Sequence, residues 1–133
     1  MSAERVTYLD SSAIVKLVVR EPETPALLRY LRRRRPVVAS ALARTEVGRA
    51  TLSLGPVVEQ RVREVLDRLD LVRVNDRVLR DAAALVPVEL RSLDAIHLAT
   101  ARLFGPTLAG LVTYDARMAQ AARLLGIKVL APR

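Results

Sequence analysis

Arg5 to Val19 reads RVTYLDSSAIVKLVV. Its first part, Arg5 to Leu9, is rich in β-branched and aromatic residues and predicts a strand. Its last part predicts a helix from about Ala13 to Arg20, with Ser11 and Ser12 placed to cap it. A strand passing within one turn into a helix is the building unit of an α/β fold. Asp10 stands at the junction, five residues after Arg5 and six before Lys16. An acid between two apolar segments, with no close basic neighbour, calls for a reason. Aspartate is a good N-cap, but the two serines can fill that role, which leaves Asp10 for chemistry.

Working outward, the same alternation continues. Glu21-Pro22 ends the first helix, since proline removes a donor and restricts the residue before it. Thr24-Pro25 opens a second helix, Ala26 to Arg34. Val37 to Ala39 predicts a buried strand, Ala41 to Leu54 a helix, and Gly55-Pro56 a break. Val57 to Leu69 is amphipathic, with Val58, Val62, Val65, Leu66 and Leu69 at helical spacing. A strand at Leu71 to Val74, helices at Asp76 to Val86 and Asp94 to Phe104, a strand at Leu111 to Thr113, a helix at Ala116 to Leu125 and a strand at Ile127 to Leu130 complete the series. Gly126 is placed to terminate the last helix. Strands apolar on both faces and alternating with helices predict a parallel, doubly wound α/β sheet covered on both sides. In such folds ligands gather beyond the carboxyl ends of the strands.

The 133 residues suit one domain. With 51% hydrophobic and 27% charged residues, a packed core is expected. The absence of cysteine excludes disulfide frameworks, thiolate metal sites and cysteine nucleophiles. The net charge of +8 favours polyanionic partners, although 20 of the 22 basic residues are arginine, as a GC-rich genome alone would favour. The four aromatics, Tyr8, Tyr30, Phe104 and Tyr114, are too few for base-stacking platforms. The five glycines form no GxGxxG or Walker loop, which argues against a nucleotide cofactor. The start, MSAERVTYLD, lacks the apolar core of a leader, and no stretch reaches the length of a membrane span, so a soluble cytoplasmic protein is expected.

Four acids are expected at one edge of the sheet. Asp10 directly follows a strand, Asp115 follows one by two residues, Asp94 begins a helix, and Glu46 lies in the first half of another. The remaining acids are ordinary: Glu59 with Arg63, Glu64 with Arg68, and Asp76 with Arg80 sit at the four-residue spacing of surface pairs. Two carboxylates about 5 Å apart repel by roughly 3 kcal/mol at an effective dielectric near 20. Divalent cations relieve that repulsion, and an all-oxygen set suits Mg²⁺ or Mn²⁺, one or two ions, rather than zinc or copper. Such ions support phosphodiester hydrolysis by activating water and stabilising the leaving oxygen.

These segments also resemble a known family. YLDSSAIVKL (Tyr8 to Leu17), RTEVGRA (Arg44 to Ala50), SLDAIHLATA (Ser92 to Ala101) and LVTYDARMAQAARLLGIKVLAP (Leu111 to Pro132) are similar, in order, to the four motifs of PIN-domain ribonucleases. The short form of the chain resembles VapC-type toxins. The resemblance implies an α/β/α sandwich on a mostly parallel, five-stranded sheet. It implies metal-dependent endoribonuclease activity as the toxin of a toxin–antitoxin pair, a cognate antitoxin, an RNA substrate and a homodimer. It carries over Asp10, Glu46, Asp94 and Asp115 as metal ligands, with Thr113 orienting a carboxylate or water.

Other residues admit two readings. Ser12 caps a helix or attends Asp10. His97, three residues after Asp94, reaches the pocket or, as its apolar neighbours favour, packs in the helix. Arg117 touches a scissile phosphate or pairs with the acids. Arg32 to Arg35 steers RNA or forms a solvated helix end. Two other functions stay open: a basic module that only binds nucleic acid or a partner, and an Asp-dependent phosphatase or receiver-like domain. The phosphatase motif wants a second Asp two residues after the first, where Ser12 stands, and a receiver wants an acidic pair after its first strand, which is missing.

Overall fold

The computed structural model describes residues 5–133; the part of the leader reading that falls on Met1 to Glu4 lies outside them. Five strands form one parallel sheet: β1 (Val6–Leu9), β2 (Val37–Ser40), β3 (Asp70–Val72), β4 (Leu108–Val112) and β5 (Val129–Leu130), in the order β3-β2-β1-β4-β5. Among the described residues seven α-helices accompany them: α1 (Ser11–Val18), α2 (Thr24–Leu31), α3 (Ala43–Ala50), α4 (Pro56–Asp67), α5 (Asp76–Ala83), α6 (Ser92–Arg102) and α7 (Ala116–Leu124).

The two-residue period of the strands divides the core. Leu9, Val37, Ala39 and Val112 face one layer, built from α1 to α4. Their neighbours Tyr8, Val38 and Leu111 face the other, where α6 and α7 supply Leu98, Ala101, Met118, Ala121 and Ala122. Helix α5 packs on α6 through Val78, Ala82, Ala95 and Ala99. The three-layer α/β/α reading therefore holds. No helix among the described residues is long and apolar enough to cross a membrane.

Several boundaries shift for local reasons. α1 begins at Ser11 because Asp10, not a serine, is its N-cap and accepts from the Ala13 amide. α3 stops at Ala50, and a 3₁₀ turn covers Leu52–Leu54. There the Thr51 hydroxyl donates to the Val47 carbonyl and competes with continuation of the helix. α6 starts two residues before Asp94, at Ser92. β4 begins at Leu108 and ends at Val112, leaving Thr113 just beyond the ladder.

The chain enters at the middle of the sheet, builds outward through β2 and β3, then returns to the other side of β1 with β4. The order reverses between β1 and β4, where Leu9 pairs with Val112. The crevice of a doubly wound sheet lies at such a switch point, and the next residues on the two strands are Asp10 and Thr113.

Leu98 is fully buried against the sheet, whereas Leu52 is 72% exposed. Leu98→Ala is expected to cost about 2–5 kcal/mol, and Leu52→Ala within about 0.5 kcal/mol. Urea denaturation midpoints check both.

Candidate active site

Asp10 is only 3% exposed. Its Oδ1 accepts from the Ser12 hydroxyl (2.6 Å) and the Ala13 amide (3.1 Å). Its Oδ2 accepts a short hydrogen bond from the Thr113 hydroxyl. A carboxylate offers about four lone-pair directions, so one direction on Oδ2 remains for a further partner. Burial raises the Asp10 pKa, while the bonds from Ser12, Thr113 and Ala13 act against that rise. Thr113 in turn accepts from the Asp115 amide (3.0 Å). The Ser12 hydroxyl accepts from the Tyr114 amide (2.9 Å), tying the loop after β1 to the loop after β4. Ser12 thus attends Asp10 instead of capping.

Glu46 takes the other serine. Its Oε1 accepts from the Ser11 hydroxyl (2.7 Å) and lies 2.6 Å from His97 Nε2. Burial alone would raise its pKa; the bonds from His97 and Ser11 outweigh it and hold the carboxyl below its ordinary value. His97 is packed in the interior, 1% exposed, and its Nδ1 stands 2.8 Å from the Tyr8 hydroxyl. The imidazole thus bridges the Tyr8 hydroxyl and the Glu46 carboxylate. Glu46 is therefore held from the core by His97, and Arg49 is exposed at the helix end.

Asp94 and Asp115 are more open. Asp94 makes no hydrogen bond through its carboxylate among the described residues, and α6 has no side-chain cap. Its pKa is raised by burial first and then by Asp115, with Glu46 adding to the rise and His97 and Arg91 opposing it. Those couplings place Asp94 within the field of both other acids. Asp115 is the N-cap of α7: its Oδ1 accepts from the Arg117 and Met118 amides (2.8 and 3.2 Å). Its role as a cap is real, and among the described residues no donor meets Oδ2.

The carboxylates thus share one end of the sheet without forming a tight knot. Among the described residues no group of three or more His, Asp or Glu side chains is gathered closely enough to hold an ion as placed. The donor chemistry still fits a hard cation. Each acid retains unused carboxylate oxygen capacity, Asp10 and Glu46 are pinned by internal donors, and the field at Asp94 favours an added positive charge.

Sequence reasoning missed Tyr8 and Ser11, and it did not join His97 to Glu46. The alternation of β1 sets Tyr8 on the α6 side, and a lone imidazole on an apolar helix face requires a polar partner; together these point to the pair. Of the other residues weighed, Arg117 is exposed, with no side-chain ion pair among the described residues. Arg34 folds onto the end of α2, donating to the Tyr30 carbonyl and stacking 4.0 Å from the Tyr30 ring.

A family model for the PIN domain matches residues 7–124. The chain belongs to the PIN-domain family. Within it, the chain is 60% identical over 125 residues to ribonuclease VapC46 of Mycobacterium tuberculosis, covering 94% of this chain and 96% of that protein. Identity to ribonuclease VapC35 of the same organism is 45% over 130 residues, with the same coverage of both. The chain is a VapC-type member of the family. The fold is also that of a toxin–antitoxin complex chain from Klebsiella pneumoniae (TM-score 0.73, 24% identity, 96% of this chain and 98% of that one). A chain of VapBC2 from Rickettsia felis bound to a promoter DNA fragment is similar too (TM-score 0.67, 16% identity, 96% and 99% covered). The PIN match sets aside the phosphatase and receiver-like alternatives.

Because burial and Asp115 raise the Asp94 pKa, the folded chain holds that proton more tightly than the unfolded chain, and ionised Asp94 costs stability above its raised value. Without added metal, Asp94→Asn is expected to melt at a higher temperature than the native chain near neutral pH. The gap closes as pH falls and the native carboxyl takes up its proton. Thermal denaturation across pH checks this; a lower melting temperature at neutral pH contradicts it.

Proposed function

We propose that this chain is a metal-dependent endoribonuclease, the toxin of a type II toxin–antitoxin pair, in which all 133 residues act as one domain. The observation that carries the proposal is the buried Asp10, pinned by three internal donors at the switch point between β1 and β4, with Glu46, Asp94 and Asp115 around the same sheet end. Burying a carboxylate is costly, and an N-cap alone needs no such burial. The family and its ribonuclease-named members support the activity, and the complexes among its structural relatives support an antitoxin partner. We further read the toxin as a cytoplasmic homodimer.

In this reading Asp10, Glu46, Asp94 and Asp115 hold Mg²⁺ or Mn²⁺, one or two ions. The chemistry such ions supply is Lewis-acid stabilisation of phosphoryl oxygen and activation of water for in-line attack. The chain's own residues divide the remaining work. Thr113 and Ser12 hold the Asp10 carboxylate in one orientation, leaving a single direction on Oδ2 for a ligand. Ser11 and His97 occupy Oε1 of Glu46, so that Oε2 is the oxygen presented. Asp94, with no internal donor among the described residues, takes up the position that responds most to added positive charge. Exposed arginines around the acids hold the backbone of the polyanion.

Purified protein is expected to cut RNA with Mg²⁺ or Mn²⁺ and to stop when the metal is chelated. Asp10→Asn and Asp94→Asn are expected to lose cleavage while keeping the circular dichroism spectrum of the fold. Equal cleavage by Asp94→Asn and the native chain overturns the proposal. His97→Ala is expected to weaken Mn²⁺ binding by about 10–100-fold through its loss of hold on Glu46, measured by titration calorimetry in the absence of RNA.

A further inference from the structure

A groove of about 290 Å³ leads away from Asp94. Helix α7 forms one wall with Arg117, Gln120 and Leu124, which fall on a single helical face. The segment entering α6 forms the other wall with Glu89, Leu90 and Arg91. From Arg117 to Leu124 the wall extends about 10 Å at the helical rise.

Chemistry changes in order along that length. Nearest the carboxylates stand two exposed guanidiniums, Arg91 and Arg117, whose side chains form no ion pair among the described residues. Gln120, one turn further along α7, offers an amide, and the exposed Glu89 offers a carboxylate from the opposite wall. The end of α7 is apolar, with Leu124 69% exposed, and Leu90 of the opposite wall is half-buried. A nucleotide presents the same order of groups: an anionic phosphate, a base edge of donors and acceptors, and a flat apolar face.

We infer that this groove seats one nucleotide of the RNA strand beside the bond to be cut, with its phosphate on Arg91 and Arg117 and its base over Leu90 and Leu124. This deepens the ribonuclease reading and rests on it. The carboxylate of Glu89 only accepts hydrogen bonds, so it selects a base with an exocyclic amino group. Adenine, cytosine and guanine carry one; the sole edge donor of uracil, its ring N3–H, lies between two carbonyl oxygens that repel a carboxylate. Gln120 donates or accepts and completes the edge contact. The groove therefore sets a cleavage context that the carboxylates do not.

Two measurements test it. The first is binding of a short labelled single-stranded RNA of random sequence, by fluorescence anisotropy without metal across a salt series. Arg91→Gln and Arg117→Gln are each expected to reduce the slope of log affinity against log salt by about 0.7. Arg123→Gln removes the same charge from another face of α7 and is expected to leave the slope unchanged. The second is sequencing of the RNA ends produced with Mg²⁺. The native chain is expected to disfavour uracil at one position beside the cut, and Glu89→Gln or Leu124→Ala to flatten that preference. Unchanged slopes together with an unchanged end distribution overturn the inference. So does a fall in oligomeric mass on Leu124→Ala with base preference intact, which assigns the groove to a second copy of the chain. RNA bound with the expected slopes but never cut leaves the groove standing and removes the hydrolytic reading.

Discussion

The hydrogen bond from Thr113 to the interior carboxylate of Asp10 joins the ends of the two central strands. It exists because β1 and β4 run parallel in a register that pairs Leu9 with Val112, so the next residue on each meets the other. Most of the candidate site is arranged around that meeting. Ser12 bridges the two loops, Asp115 follows the second of them, and Glu46 reaches the first through Ser11. A charged oxygen so deep in the fold needs donors from several directions, and the loops after the strands supply them.

A second line of support comes from the opposite layer. Tyr8 lies inside the sheet face that packs on α6, and His97 passes its hold outward to Glu46. The two layers of helices therefore both act on the acids: α1 and α3 from one side, α6 from the other. The two better-anchored acids, Asp10 and Glu46, have internal donors on their oxygens, while Asp94 has none among the described residues and feels the charge of its neighbours. This division between fixed and responsive carboxylates suits a site that must accept a cation without rebuilding its own frame.

Much of this is legible in the chain before any coordinates. The string RVTYLDSSAIVKLVV shows a strand, an acid and a helix in immediate succession, and the alternation that follows marks the parallel sheet. The four acids stand out because the other carboxylates are explained by helical pairing. The boundaries are less legible, since they depend on side-chain competition with the backbone, as at Thr51, or on which of three capping candidates wins, as at Asp10. The link between Tyr8, His97 and Glu46 is hidden for a different reason. It spans 89 and 51 residues, and each member has a plain local explanation until the layers are stacked.

The edges of the sheet are short: β3 spans three residues and β5 only two. Open strands invite neighbouring molecules to add a strand of their own, and very short ones offer too few free amides and carbonyls to seed it. Crowding this chain, as in overexpression, therefore leaves little opportunity for amyloid-like growth from the native state.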